Sequence, residues 1–151
     1  VGLSETRAEF GFGAVRLTSK LIDGTFPDYT RVIPAGNDRI MQVDATSFSS
    51  AVDRVSTISS EKSRAVKMGL KPGVLTLSAS NTDASSATEE LEVTYNGPEM
   101  DIGFNARYLL DIAGQVNNDI VEFALADQGS PSLVRAPGDD ASLFVLMPMR
   151  V

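Results

Sequence analysis

The 151-residue sequence carries 13 Lys and Arg against 20 Asp and Glu, a formal charge of −7, with 42% hydrophobic and 22% charged residues; this is the balance of an ordinary soluble globular chain, long enough for one full core. It contains neither cysteine nor histidine, which removes disulfides, thiolate nucleophiles, zinc–thiolate sites and the commonest general base. No run approaches the roughly 18–20 apolar residues of a membrane-spanning helix, while the acidic net charge leaves nucleic acid open as a partner, because a few cations gathered on one surface can meet phosphates.

The first residue is Val1 and no basic segment with an apolar core precedes the first strand pattern. No secretory signal is therefore visible, and a chain that starts in mid-protein is expected. Ala8, Phe10 and Phe12 alternate, as do Val15, Leu17 and Ser19, with GFG at 11–13 between them. No third glycine and no helix follow that triplet, so it reads as a bend between two strands and not as a phosphate loop. A stretch with two prolines and two glycines, LIDGTFPDYTRVIPAGND, then runs to residue 38. Residues 1–38 read as the last two strands of a preceding domain and a linker.

From residue 39 the pattern becomes regular. Phe48, Ala51, Val52 and Val55 fall at helical spacing behind two possible N-caps, Asp44 and Thr46. Strand alternation follows in Val66, Met68 and Leu70, in Leu75, Leu77 and Ala79, and in Leu91, Val93 and Tyr95. Met100, Ile102 and Phe104 begin a second cycle. Leu109, Ile112, Ala113 and Val116 form its helix, with Asn105 as cap and Gly114 as a possible stop. Val121, Phe123 and Leu125, then Leu143 and Val145, alternate again, and the junctions KPG (71–73), NGP (96–98) and APGDD (136–140) carry turn chemistry. Residues 39–95 and 99–147 therefore each read strand, helix, strand, strand, strand. The expected fold is α+β: a duplicated βαβββ unit whose two helices pack on antiparallel sheets.

Three features carry functional weight. The adjacent carboxylates Asp139 and Asp140, taken with Glu89, Glu90 and Glu92, could serve a Mg²⁺-dependent enzyme, although Pro137 and Gly138 favour a solvated hairpin. The glutamates themselves suit either a charged edge that prevents aggregation or the acidic half of a subunit interface. TFPDYTRVIP at 25–34 and the terminal FVLMPMRV at 144–151 hold more apolar surface than an idle linker or a frayed end needs. Together they suggest a groove, with packed core as the alternative.

LTSKLIDGTFPDYTRVIP (17–34), GFNARYLLDI (103–112) and MPMRV (147–151) resemble the β sliding clamp of bacterial DNA polymerase III, the processivity ring. The resemblance runs over the whole chain and places 1–38 at the end of the family's second domain and 39–151 in its third. It implies the DNA-clamp fold, a cytoplasmic homodimer when full length, no cofactor or metal, and no catalysis. The implied partners are duplex DNA, the polymerase III catalytic subunit, the clamp loader and other proteins bearing clamp-binding motifs.

The resemblance also assigns residues. A peptide-binding pocket would use Pro27, Arg31 and Val32 from the linker, Asn105 and Tyr108 from the second helix, Gly129, Ser130 and Pro131 from a loop, and Val145, Leu146, Met147, Pro148, Met149 and Arg150 from the tail. Arg54 and Arg107 would face DNA, unless each is simply paired with Asp53 or Asp111. Thr57, Ile58, Glu89, Glu90 and Glu92 would meet the first domain of another protomer. Ser63 stands where some relatives carry a pocket aromatic, and 129–131 departs from the family pattern. With the first domain absent, this chain alone is not expected to close a ring. A purely structural association domain is the remaining alternative.

Overall fold

A computed structural model describes residues 1–59, 64–81 and 85–151, which fall into two compact units, Val1–Thr30 and Arg31–Val151. The first is a three-stranded antiparallel sheet of β1 (Gly2–Leu3), β2 (Arg7–Phe12) and β3 (Val15–Lys20). GFG does end one strand and turn into the next. Ala8 is buried there, whereas Phe12, Val15 and Leu17 are exposed; three strands alone offer too little surface to close a core.

The second unit contains, in order, β4 (Arg39–Asp44), α1 (Ala45–Ser56), β5 (Ala65–Lys71), β6 (Val74–Ser80), β7 (Ser86–Glu92), β8 (Thr94–Tyr95), β9 (Met100–Asn105), α2 (Ala106–Gln115), β10 (Ile120–Leu125), β11 (Ser132–Arg135) and β12 (Phe144–Leu146). The duplicated βαβββ reading holds, with β8 as an added two-residue strand. Two antiparallel sheets result, ordered β12-β11-β10-β4-β8 and β7-β6-β5-β9. Each copy of the unit gives its first strand to the other copy's sheet: β4 pairs with β10, and β9 with β5. That exchange makes the halves one cooperative body, since neither sheet is complete without the other.

Both helices start where a side-chain oxygen can satisfy an orphan backbone N–H. The Asp44 carboxylate accepts from the Ser47 N–H at 2.7 Å, and the Asn105 carbonyl oxygen from the Arg107 N–H at 2.9 Å. The backbone bond from Ser47 holds the Asp44 carboxyl below its ordinary value. Gly114 does not stop α2; the Val116 N–H still reaches the Ile112 carbonyl at 3.0 Å and carries the helix to Gln115. The stripe Phe48, Ala51, Val52 and Val55 is buried, as are Leu109 and Ala113. Phe48 of α1 meets Phe123 of β10 edge-on with centroids 5.4 Å apart, so the core too is built from both copies. No helix among the described residues is long and apolar enough to cross a membrane.

Candidate functional site

The tail has two parts with opposite roles. In β12, Leu146 pairs with Ser132 of β11 and is only 5% exposed. It lies on the core-facing side of the strand beside buried Ser132 and Val134, because alternate strand residues point to opposite faces. Val145 is half-buried on the other face. Beyond Leu146 the chain leaves this sheet and reaches the edge of the other one, where the Met149 N–H donates to the Gly103 carbonyl at 2.8 Å.

Gly103 is glycine for a steric reason. A Cβ there would overlap the Val151 side chain and come within 2.7 Å of the Met149 carbonyl oxygen. The tail thus lies directly on the β9 backbone and walls a cleft of about 690 Å³, lined by Lys67, Asp101, Gly103, Gln128, Gly129 and residues 148–151. Four predicted site residues, Gly129, Pro148, Met149 and Arg150, come together here. Met147 stands 61% exposed at its approach.

The loop bearing Gly129 is fixed from both ends. The Asp127 carboxylate accepts from the N–H groups of Gly129 and Ser130, both at 2.8 Å, and from the Ser130 hydroxyl at 2.7 Å. These bonds, the Ser130 hydroxyl first, lower the Asp127 pKa. At the other end the Asn37 amide donates to the carbonyls of Ala124 and Pro131, each at 2.9 Å. Asn37 thereby ties the segment holding Arg31 and exposed Val32 to the loop holding Ser130 and Pro131. Tyr108, 56% exposed, projects from the first turn of α2, five residues after Gly103. Pro27 belongs to the first unit, and Ser63 lies outside the described residues.

Sequence reasoning missed Asp127, Asn37, Gly103, Gln128, Lys67 and Asp101. The first and third left signals: Asp-x-Gly-Ser is an Asx-turn pattern, and a glycine within the alternating MDIGFN strand marks a close backbone approach.

The other assigned surfaces are also placed. Glu89 shares the inward row of β7 with Ala87 and Leu91, and its carboxylate is gripped by both Nε and Nη2 of Arg54, the Nε bond measuring 3.0 Å. That pair lowers the Glu89 pKa and raises that of Arg54. One residue expected to face DNA and one expected at the subunit interface therefore hold each other. Arg107 is more loosely engaged, 4.0 Å from Asp111. Thr57 is exposed and Ile58 half-buried at the end of α1, while Glu90 and Glu92 are exposed on the outer face of β7, which among the described residues pairs with β6 alone. In the GDD turn, Asp140 is held by Arg135 at 2.7 Å and Asp139 accepts from the Ala141 N–H at 2.8 Å. Among the described residues no group of three or more acidic side chains could hold a metal ion.

Comparison with known proteins identifies the family. The family described as DNA polymerase III beta subunit, C-terminal domain, matches residues 30–150. The beta sliding clamp of Caulobacter vibrioides is 53% identical over 149 residues, and that of Escherichia coli 35% over 151. The chain spans about 40% of the length of the curated relatives it matches. A crystal structure of the Bartonella birtlesii sliding clamp bound to griselimycin is 54% identical, with a TM-score of 0.93 over 99% of this chain and 40% of that one. A Pseudomonas aeruginosa sliding clamp solved with ligand is 40% identical, with a TM-score of 0.94 over 99% of this chain and 41% of its own. The chain belongs to the β sliding clamp family of bacterial DNA polymerase III, and its second unit is that family's C-terminal domain.

Proposed function

We propose that this chain contributes the C-terminal domain of a ring-shaped processivity clamp, a cytoplasmic homodimer that encircles duplex DNA and tethers the polymerase III catalytic subunit, the clamp loader and other motif-bearing partners. It performs no bond chemistry of its own. The observation that carries the reading is the tail cleft: a fixed loop, a glycine strand edge and the terminal residues enclose a recess, with Met147, Val32 and Tyr108 left exposed on the same unit. Each apolar anchor that a partner peptide buries there contributes about 1.5–3 kcal/mol before ordering costs, which places affinity in the micromolar range and permits exchange between partners. The griselimycin complexes of the Bartonella birtlesii and Pseudomonas aeruginosa clamps support a family surface that receives ligands.

On this reading Arg107 is the better candidate for sequence-blind phosphate contact, because Arg54 is already held by Glu89. The open edge of β7, with Thr57, Ile58, Glu90 and Glu92, is the surface proposed to meet the first domain of a second protomer.

The test is a titration of a labelled QLxLF-type peptide against this chain and against a version ending at Leu146, with circular dichroism to confirm that both are folded. Micromolar binding lost on truncation is expected. Equal binding by both, or none by either, overturns the pocket assignment and favours a purely structural domain.

A further inference from the structure

The NGP junction at 96–98 has no part in the surfaces described above. It follows β8, whose Tyr95 pairs with Met41 of β4. Tyr95 is only 1% exposed, and its hydroxyl donates to the Pro98 carbonyl at 2.7 Å, so the side chain closes over the residues between. Position 97 must then be glycine: a Cβ there would stand 2.5 Å from the Tyr95 hydroxyl oxygen and 2.6 Å from the ring carbon that bears it. Asn96, by contrast, is exposed and lines an open recess together with Asp38 and Arg39.

We propose that Asn96 is a site of spontaneous deamidation, through which the folded chain acquires aspartate or isoaspartate at this turn. The Gly97 backbone nitrogen attacks the side-chain carbonyl carbon of Asn96 and a C–N bond forms; the amide proton passes to solvent and the side-chain nitrogen leaves as ammonia. Solvent water then opens the succinimide at either carbonyl. The balance is asparagine plus water to acid plus ammonia, with no redox change. Opening at one carbonyl gives aspartate. Opening at the other gives isoaspartate, in which the main chain runs through the former side chain and is one methylene longer. Two observations select this asparagine. It alone in the chain is followed by glycine, whose missing Cβ leaves the attacking nitrogen accessible. Among the described residues, neither its carboxamide nor the Gly97 N–H has a hydrogen-bond partner. Asn105 shows the opposite case: its side-chain oxygen is held by the Arg107 N–H at 2.9 Å, and the following Ala106 N–H donates to the Arg64 carbonyl at 2.8 Å. The Asn37 amide is likewise committed to two carbonyls. Either product adds a carboxylate to the recess that Arg39 lines. Isoaspartate alone also lengthens the turn under Tyr95, which strains the bond to Pro98 and the pairing of β8 with β4.

The experiment incubates the folded chain in warm, mildly alkaline buffer and maps its peptides by mass spectrometry, beside Asn96→Gln and a sample unfolded in urea. A gain of one mass unit is expected in the peptide holding Asn96, about tenfold faster than at any other asparagine, with both isomers resolved by fragmentation. Asn96→Gln, which must close a larger ring, should stay unmodified. Conversion in urea but not in the folded chain overturns the proposal, since the Tyr95 clamp would then hold the Gly97 nitrogen out of reach. Equal rates at the other asparagines overturn it as well. The purified isoaspartate form should melt below the unmodified chain, and Asn96→Asp, which adds the charge without the methylene, close to it. Identical melts for the two acids overturn the strain at β8.

Discussion

β7 and β12 hold equivalent places, the last strand of each βαβββ copy and an outer edge of its sheet, yet they have almost nothing else in common. β7 runs seven residues, presents Glu90 and Glu92 outward, and among the described residues pairs with β6 alone. β12 runs three residues, sinks Leu146 into the core, and feeds a tail that crosses to the other sheet. Core packing dictates which residues face inward and so keeps both copies on one plan. It places no such demand on an edge, where unpaired N–H and C=O groups must be blunted or used. Divergence between the copies is therefore concentrated at their edges: an acidic edge in one, an apolar tail in the other.

The sharpest way to break this comparison is within the tail. Leu146→Ala removes a fully packed core side chain and should lower unfolding free energy by about 2–5 kcal/mol. Met147→Ala, one residue later, should change stability by no more than about 0.5 kcal/mol yet weaken the peptide. Urea denaturation and the peptide titration separate the two. Equal stability losses would mean that the tail is core throughout and that the division at Leu146 is misplaced.

Gly103→Ala comes next. The added methyl meets backbone as well as side chain, the Met149 carbonyl at 2.7 Å, so the tail must shift bodily; overpacking of this kind costs about 1–3 kcal/mol. Peptide affinity should fall together with stability, unlike in Met147→Ala. If affinity is unchanged, the seating of Met149 on β9 is not what shapes the cleft.

The sequence was legible wherever a residue's role followed from periodicity or local chemistry. The α1 stripe from Phe48 to Val55, the caps Asp44 and Asn105, and the strand–helix–strand repeat are all decided within a few residues of themselves. The tail was less legible, because nothing within FVLMPMRV says at which residue pairing with β11 ends and the chain turns from strand to tail. The Arg54–Glu89 pair joins residues 35 positions apart through the packing of α1 over β7, and the Asn37 bonds span 87 and 94 because β4 is exchanged into the sheet of β10. Distance along the chain hides such contacts, and only the topology restores them.

The smallest expected effect lies on β7. Glu89 is the charged member of that strand's inward row, and the hydrogen bond from Arg54 holds its pKa below the ordinary 4.5. A lowered carboxylate pKa means that the pair's contribution to stability is fully present above about pH 4.5 and fades as the pH falls through the folded-state value. Arg54 stays charged throughout. Asp44 and Asp127, also lowered, titrate on the same side, so the acid limb of wild type alone cannot isolate Glu89. The difference between wild type and Glu89→Gln can, because the other two carboxylates cancel. Thermal melts of the two should differ most near neutral pH and low salt, converge below pH 4.5, and draw together at neutral pH as salt screens an exposed pair. A difference that ignores both pH and salt would assign Glu89 a packing role, and the two edges would then differ in their outward faces alone.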